Sequence, residues 1–177
     1  YADYGPQNPD ASVAGAGSYL AELLRQRGWN VIHDTTAYDR KEGKLERSRA
    51  YTYALEGVQG ILQEHPTIEV ILDLHRDGVS DSLRLVQEIQ GKPTAKIMFF
   101  QGMSRTPEGE IAYLPNPYLQ ENLAFCFQMQ LACGRYPGFT RKIYLKGLRY
   151  NLHLRGRSSL IEAGAQTSTK EEVWNAM

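Results

Sequence analysis

A chain of 177 residues, 42% of them apolar and 23% charged, has the profile of one globular domain with enough length to bury a core, which excludes a disordered or fibrous segment. Its 20 basic and 20 acidic residues cancel, so no whole-molecule field draws in nucleic acid or an anionic membrane. No run approaches the roughly 18 consecutive apolar residues of a membrane span, and the opening residues are polar and rich in turn formers, so neither a signal peptide nor an anchor is expected in this stretch.

Val13, Ala16, Gly17, Leu20 and Leu24 recur at helical spacing, with Asp10 or Ser12 as cap and Gly28 as stop, and predict a first helix. A short apolar run, 29–34, reads as a strand, and the polar stretch 35–44 as a loop. Tyr51, Ala54, Leu55, Val58, Ile61 and Leu62 define one face of a second helix, which Pro66 ends. The nearly continuous apolar run 68–74 has the pattern of a strand covered on both faces, so strand, helix and strand form one βαβ unit. Segments 84–89 and 95–100 flank Gly91-Lys92-Pro93 and suggest an appended hairpin. A third helix is expected over 117–134, a strand or loop over 142–154 and a short buried strand over 159–162. Ser168-Thr169-Lys170-Glu171 reads as a capping box that opens a last helix. The expected fold class is α/β, a single three-layer domain over 1–177 with a mostly parallel central sheet flanked by helices, plus the appended β-hairpin.

Cys126 and Cys133 lie seven positions apart in a helical segment, which places them about 10 Å apart and beyond disulfide reach. They read as small buried hydrophobes that leave the redox compartment undetermined. Neither has a second Cys or a His at ligand spacing, which argues against a cysteine zinc site.

Catalytic groups in open α/β sheets gather at the carboxyl ends of strands. Two polar residues stand there. His75 follows the run Leu72-Asp73-Leu74, and Glu162 ends Leu160-Ile161 before Ala163 and Gly164. An imidazole and a carboxylate aimed into one pocket suit metal-assisted hydrolysis, in which neutral His ligates zinc and Glu takes a proton from water. The structural reading competes with it: a strand-end His is often a hydrogen-bonded corner, and Glu162 could pair with Arg155 or Arg157. Arg76 and Asp77 read as an internal ion pair behind the site. His33 sits where it could line the same cleft or be structural, and His65 before Pro66 is explained by a helix carboxyl end. His153 alternates as in a strand and is open to either a structural or a cleft role. Gly15-Ala16-Gly17-Ser18 lacks the strand and third glycine of a dinucleotide fingerprint, so close helix packing explains it better. Gly91-Lys92-Pro93-Thr94 is no phosphate loop, and no Gly-x-Ser-x-Gly elbow is present.

Taken in order, Val31-Ile32-His33-Asp34-Thr35-Thr36, Leu72-Asp73-Leu74-His75-Arg76-Asp77 and Leu160-Ile161-Glu162-Ala163-Gly164-Ala165-Gln166 resemble the stage II sporulation protein P family, as do Tyr136-Pro137-Gly138-Phe139, Arg141 and Tyr150-Asn151. The resemblance covers nearly the whole chain, and its His-Arg-Asp string is the most specific part. It implies a zinc-dependent N-acetylmuramoyl-L-alanine amidase, a peptidoglycan hydrolase that cuts the amide between the glycan's lactyl group and the stem peptide. It further implies zinc as cofactor, His75 as metal ligand and Glu162 as catalytic general base. Arg76, Asp77, His153 and Arg155 are candidates for substrate contacts or for support behind the metal. The family pattern places a further His and a Glu ligand upstream of Tyr1, so this stretch is expected to be the catalytic domain truncated at its N-terminus, binding zinc weakly or not at all. Endopeptidase activity on cross-links, spore engulfment at the septum between mother cell and forespore, a membrane anchor in the full protein, and stage II sporulation proteins D and M as partners are implied in the same way. A non-catalytic peptidoglycan-binding or scaffold domain is the alternative from a different class.

Overall fold

In the computed structural model, which describes residues 1–2, 8–41 and 44–177, the chain enters through a 3-10 turn at Pro9–Ala11 and then α1, Val13–Gln26. Ser12 caps α1 by accepting the Gly15 amide at 3.1 Å, and Gly28, at φ +87°, takes the left-handed turn that ends the helical path. Close packing accounts for the glycines of this helix. A Cβ on Gly15 would lie 2.1 Å from the Asp10 carbonyl oxygen, and one on Gly17 would lie 2.6 Å from His33 Nε2.

The run 29–34 forms no strand. Trp29 and Ile32 are 61% and 48% exposed, and the Val31 carbonyl accepts from the Arg25 side chain rather than from a ladder. An apolar run becomes a strand only where a neighbouring strand satisfies its backbone, and none lies beside this one among the described residues. The expected βαβ unit is therefore absent. The stretch expected as a loop, 35–44, holds a short strand, β1 (Arg40–Lys41), and the first residue of another, β2 (Lys44–Leu45); its residues 42–43, like 3–7 of the turn-rich start, lie outside the described residues.

After α2 (Ala50–Glu64), β3 runs Val70–Asp77, so His75 stands inside the strand instead of just past it. The hairpin is β4 (Val86–Ile89) with β5 (Lys92–Ala95), turned by Gln90 at φ +52° and Gly91 at φ +77°. It is a sheet of its own, and the apolar run after it forms a separate strand, β6 (Ile97–Gly102), in the main sheet. A second small hairpin, β7 (Arg105–Thr106) with β8 (Gly109–Glu110), precedes α3 (Leu119–Cys133) and β9 (Tyr144–Lys146). Then β10 spans Arg157–Ala165 and α4 spans Lys170–Ala176. The capping box of α4 starts one residue later than its expected position: Thr169 accepts the Glu172 amide at 3.2 Å, and Glu172 accepts the Thr169 amide at 2.8 Å.

The main sheet has the order β3-β10-β6-β9, parallel, antiparallel and parallel, which is an α/β fold with a mixed, mostly parallel sheet. Its two faces differ. Ile97, Phe99, Ile161 and Ala163 join Ala16 of α1, Cys126 of α3 and Val173 of α4 in the main core, with Leu72 and Leu74 packed against it. Both cysteines are free thiols, and Cys126 is fully buried, as a small core hydrophobe should be. Successive strand side chains alternate between faces, so Asp73, His75 and Asp77 must point away from that core. Glu162, Leu160, Met98 and Phe100 share their face by register. Over this second face Tyr150 stands edge-on to Phe100 at 4.7 Å and to Tyr51, from the first turn of α2, at 5.3 Å.

Candidate active site

Glu162 on β10 is the direct parallel partner of His75 on β3, which sets their Cα atoms one strand spacing, about 4.8 Å, apart on one face of the sheet. The antiparallel partner of Glu162 on its other side is the buried Met98. Just beyond, the ladder shifts so that Ala165 rather than Gly164 meets the end of β3 at Asp77. Gly164 has φ +63°, and a Cβ there would lie 2.5 Å from Ser168 Oγ, so only glycine permits this bulge. The bulge interrupts the regular ladder immediately after the two polar side chains. Both therefore sit where the strands open toward their carboxyl ends.

His75 Nε2 and Asp73 Oδ1 are 2.9 Å apart, and the two side chains are 40% and 37% exposed, open enough for an ion or substrate to reach. Burial pulls the imidazole pKa down, but the hydrogen bond and charge of Asp73, with the charge of Glu162, more than offset it and leave His75 above its ordinary value. Glu162 has one carboxylate oxygen, Oε2, that is buried and without any hydrogen-bond partner. Burial raises its pKa, His75 and Arg141 hold it back, and Asp77 and Asp73 add to the rise. A carboxyl group held above the ordinary range, beside an imidazole, is an arrangement suited to moving protons near neutral pH.

The other expected site residues are distributed unevenly. Asp77 joins the cluster, but its partner is Arg141, not Arg76, and its Oδ1 also accepts the Gly78 amide at 2.7 Å. Neighbours along a strand point to opposite faces, which forbids the Arg76–Asp77 pair; Arg76 is exposed and acts instead on the Tyr1 phenol, whose pKa burial raises and Arg76 lowers. Arg155 donates from Nε to the Ile68 carbonyl at 2.8 Å, at the amino end of β3 and thus the far end of the sheet from Glu162. Arg157 pairs there with Glu69 at 2.7 Å. These residues line a cleft of about 520 Å³ with Pro66 and Tyr118, at the wrong end of the strands for an α/β active site. His33 packs on α1 with Ser18 Oγ 3.5 Å from its Nδ1.

His153 is separate from the His75–Glu162 pair along the chain and in its electrostatics. Burial first, and then Arg149, lower its pKa to about 4, and its Nδ1 is buried without a partner. The unfolded chain protonates this ring near pH 6.5, whereas the folded chain resists until about pH 4. Stability from this site is thus full above pH 6.5 and drains away as the pH falls toward 4. His153→Gln is expected to flatten that acid limb, seen as a smaller loss of Tm between pH 7 and 4.5 than in wild type; an identical loss in both would refute the assignment.

Asp73, Arg141 and Tyr51 complete the cluster; none was a candidate site residue by sequence, where Arg141 figured only in the family resemblance. Tyr51 stands close enough that burial, Asp73, Tyr150 and Glu162 together raise its phenol above the ordinary tyrosine value. Alternation in Asp73-Leu74-His75-Arg76-Asp77 was the available signal for Asp73, since residues two apart on a strand share a face. Among the described residues no group of three or more His, Cys, Asp or Glu side chains is arranged to hold a metal ion, and no helix is long and apolar enough to cross a membrane. No curated protein and no solved structure matches the chain. The family model for stage II sporulation protein P matches residues 2–177, so the chain belongs to that family and, with it, to sporulation.

Proposed function

We propose that this domain is the catalytic part of a zinc-dependent N-acetylmuramoyl-L-alanine amidase that opens peptidoglycan during engulfment. The observation that carries the reading is the pairing of His75 with Glu162 across adjacent strands, with one buried oxygen of Glu162 left unpartnered. The donor chemistry fits part of a zinc site. An imidazole nitrogen and a buried carboxylate are the groups such a site uses, and the described residues supply one imidazole where a catalytic site takes about three protein ligands. The remaining His and Glu ligands belong, in this reading, to the segment that the family carries upstream.

Zinc, when bound, supplies Lewis acidity toward water and the scissile carbonyl. His75 would hold the ion. Glu162, its pKa raised, would take the proton of the attacking water on its carboxylate and return it to the departing amide nitrogen of the stem peptide. The Tyr51–Tyr150–Phe100 edge-on stack lies over the same face of the sheet. We place the activity at the septum between mother cell and forespore, with stage II sporulation proteins D and M as partners and cross-link endopeptidase action as a second outcome at the same site.

The absence of a three-ligand set among the described residues favours a second reading, a peptidoglycan-binding scaffold within the same machinery. Mass spectrometry of cell wall digested with the intact protein separates the readings. Free stem peptides beginning with L-alanine beside bare glycan strands are the expected products. Clipped cross-links with the muramoyl amide intact would make it an endopeptidase, and undigested wall with bound protein would make it a scaffold.

A further inference from the structure

We infer that the cleft at the amino ends of β3 and β10 is a second binding site, in which the Arg155 guanidinium takes a free carboxylate of a stem peptide. The choice of ligand rests on the peptidoglycan reading above; the anion site itself does not. Arg155 is held at two points, Nε donating to the Ile68 carbonyl and Nη1 to the Leu154 carbonyl, each at 2.8 Å. Both acceptors are uncharged, and no carboxylate among the described residues forms an ion pair with Arg155. Its Nη2 donates to no group among the described residues. A guanidinium stays charged at every pH at which the protein is folded, and it presents its N–H donors in a rigid fork. Arg155 is therefore a half-buried cation, anchored to backbone, with donors left over for a ligand.

The cleft around it, about 520 Å³, has room for a short peptide rather than a lone ion. Its lining holds one carboxylate, Glu69, and Arg157 already neutralises that group at 2.7 Å on the exposed rim. The charge of Arg155 is thus left uncompensated. Glu121 approaches Gly156 through its Cβ, which a Cβ on Gly156 would meet at 3.3 Å, but it is not part of the lining. Its carboxylate belongs to the first turn of α3, where the helix dipole favours it. Glycine at 156 also lets the Tyr118 ring close against the backbone between the two arginines, since a Cβ there would lie 3.6 Å from Tyr118 Cδ1. Tyr118 and Pro66 give the cleft an apolar wall beside the cation. A planar carboxylate matches the guanidinium fork, and the carbon chain that carries it matches the wall. Arg157 and Glu162 stand at opposite ends of their pairing with β3, roughly 16 Å apart along the strand. A peptide held by Arg155 is therefore a different one from the peptide cut at Glu162.

Nitrogen-15 spectra of the intact natural protein give the readout, with the Arg155 Nε–H signal assigned by its loss in Arg155→Gln. A synthetic stem tetrapeptide with free carboxyl groups is expected to move that signal saturably. The same peptide with its carboxyl groups amidated is expected to bind at least about 10-fold more weakly, as are acetate and inorganic phosphate. Arg155→Gln is expected to weaken peptide binding about 10- to 100-fold. That variant also loses the anchors to Ile68 and Leu154, so Tyr118→Ala, which leaves them in place, is the second test and is expected to weaken binding severalfold with the fold intact. An Arg155 signal that excess peptide leaves unmoved, or that the amidated peptide moves equally well, overturns the inference and makes Arg155 a backbone brace alone. Phosphate that binds as tightly as the peptide overturns the choice of ligand. Cell wall left undigested by the intact protein removes Glu162 from its proposed role, whereas a moving Arg155 signal in the same preparation upholds the cleft.

Discussion

Glu162→Gln is expected to lower stem-peptide release by about 100- to 10,000-fold while leaving the fold and metal uptake as in wild type. The amide fills the same space between Met98 and His75 but cannot accept a proton from water. A change in stability should accompany the loss, with a definite sign. The folded protein holds the Glu162 carboxyl pKa above its ordinary value, chiefly because burial disfavours the charge. A raised carboxyl stabilises the folded state fully below the unfolded pKa, and that contribution is lost as the pH climbs through the folded value. The glutamine variant carries no such charge. Its Tm should match wild type near pH 4 and exceed it at pH 8, each kcal/mol being worth about 2–4 °C in a domain of this size. Peptide release by the variant at the wild-type rate would remove Glu162 from the proposed role of base. Equal melting differences at both pH values would show that its carboxylate bears no cost of burial.

Helices were legible from the sequence and strand ends were not, and the residues show why. Periodicity, the Ser12 cap and Gly28 define α1, and Pro66 bounds α2, because these are local signals. The β10 strand is nine residues long where the expected strand, 159–162, had four, since Arg157 and Ser158 before it and Ala163-Gly164-Ala165 after it look like loop residues, yet Ser158 is fully buried. That burial depends on partners far along the chain: Asn122 accepts the Ser158 amide, and Gln101 donates to the Ser158 carbonyl. The run 29–34 failed in the opposite direction. It has strand composition and finds no strand to pair with. In the site, His75 and Glu162 were marked by their position at the ends of apolar runs, and the structure sets them side by side. Arg141 figured only in the family resemblance, because its partner Asp77 lies 64 positions away and no local spacing points to the pair. Tyr51 reads as one more apolar position on α2.

The position of Glu162 therefore depends on contacts that start at the other end of β10, and Asn122 is where they meet. Its side chain is fully buried in α3, its amide donates to the Leu152 carbonyl, and its carbonyl accepts the Ser158 amide at 2.8 Å. Its own backbone carbonyl accepts from Gln101 at 3.3 Å. One residue thus ties the turn before β10, the first buried residue of β10 and the end of β6 to the same helix. Asn122→Leu keeps the branched shape, though with bulkier ends, and removes both side-chain bonds, which strands a buried carbonyl and a buried amide at about 1–3 kcal/mol each. The expected loss is roughly 2–6 kcal/mol, a large share of the stability of a domain this size, read as a lower denaturation midpoint with an unchanged denaturant slope. Asn122→Asp separates the two bonds. It retains the acceptor for Ser158 but faces the Leu152 carbonyl with an oxygen, so it is expected to be at least as damaging as leucine. If either variant unfolds at the wild-type midpoint, the register of β10 is held by apolar packing alone, and the buried polar bonds at its entry contribute nothing to where Glu162 stands.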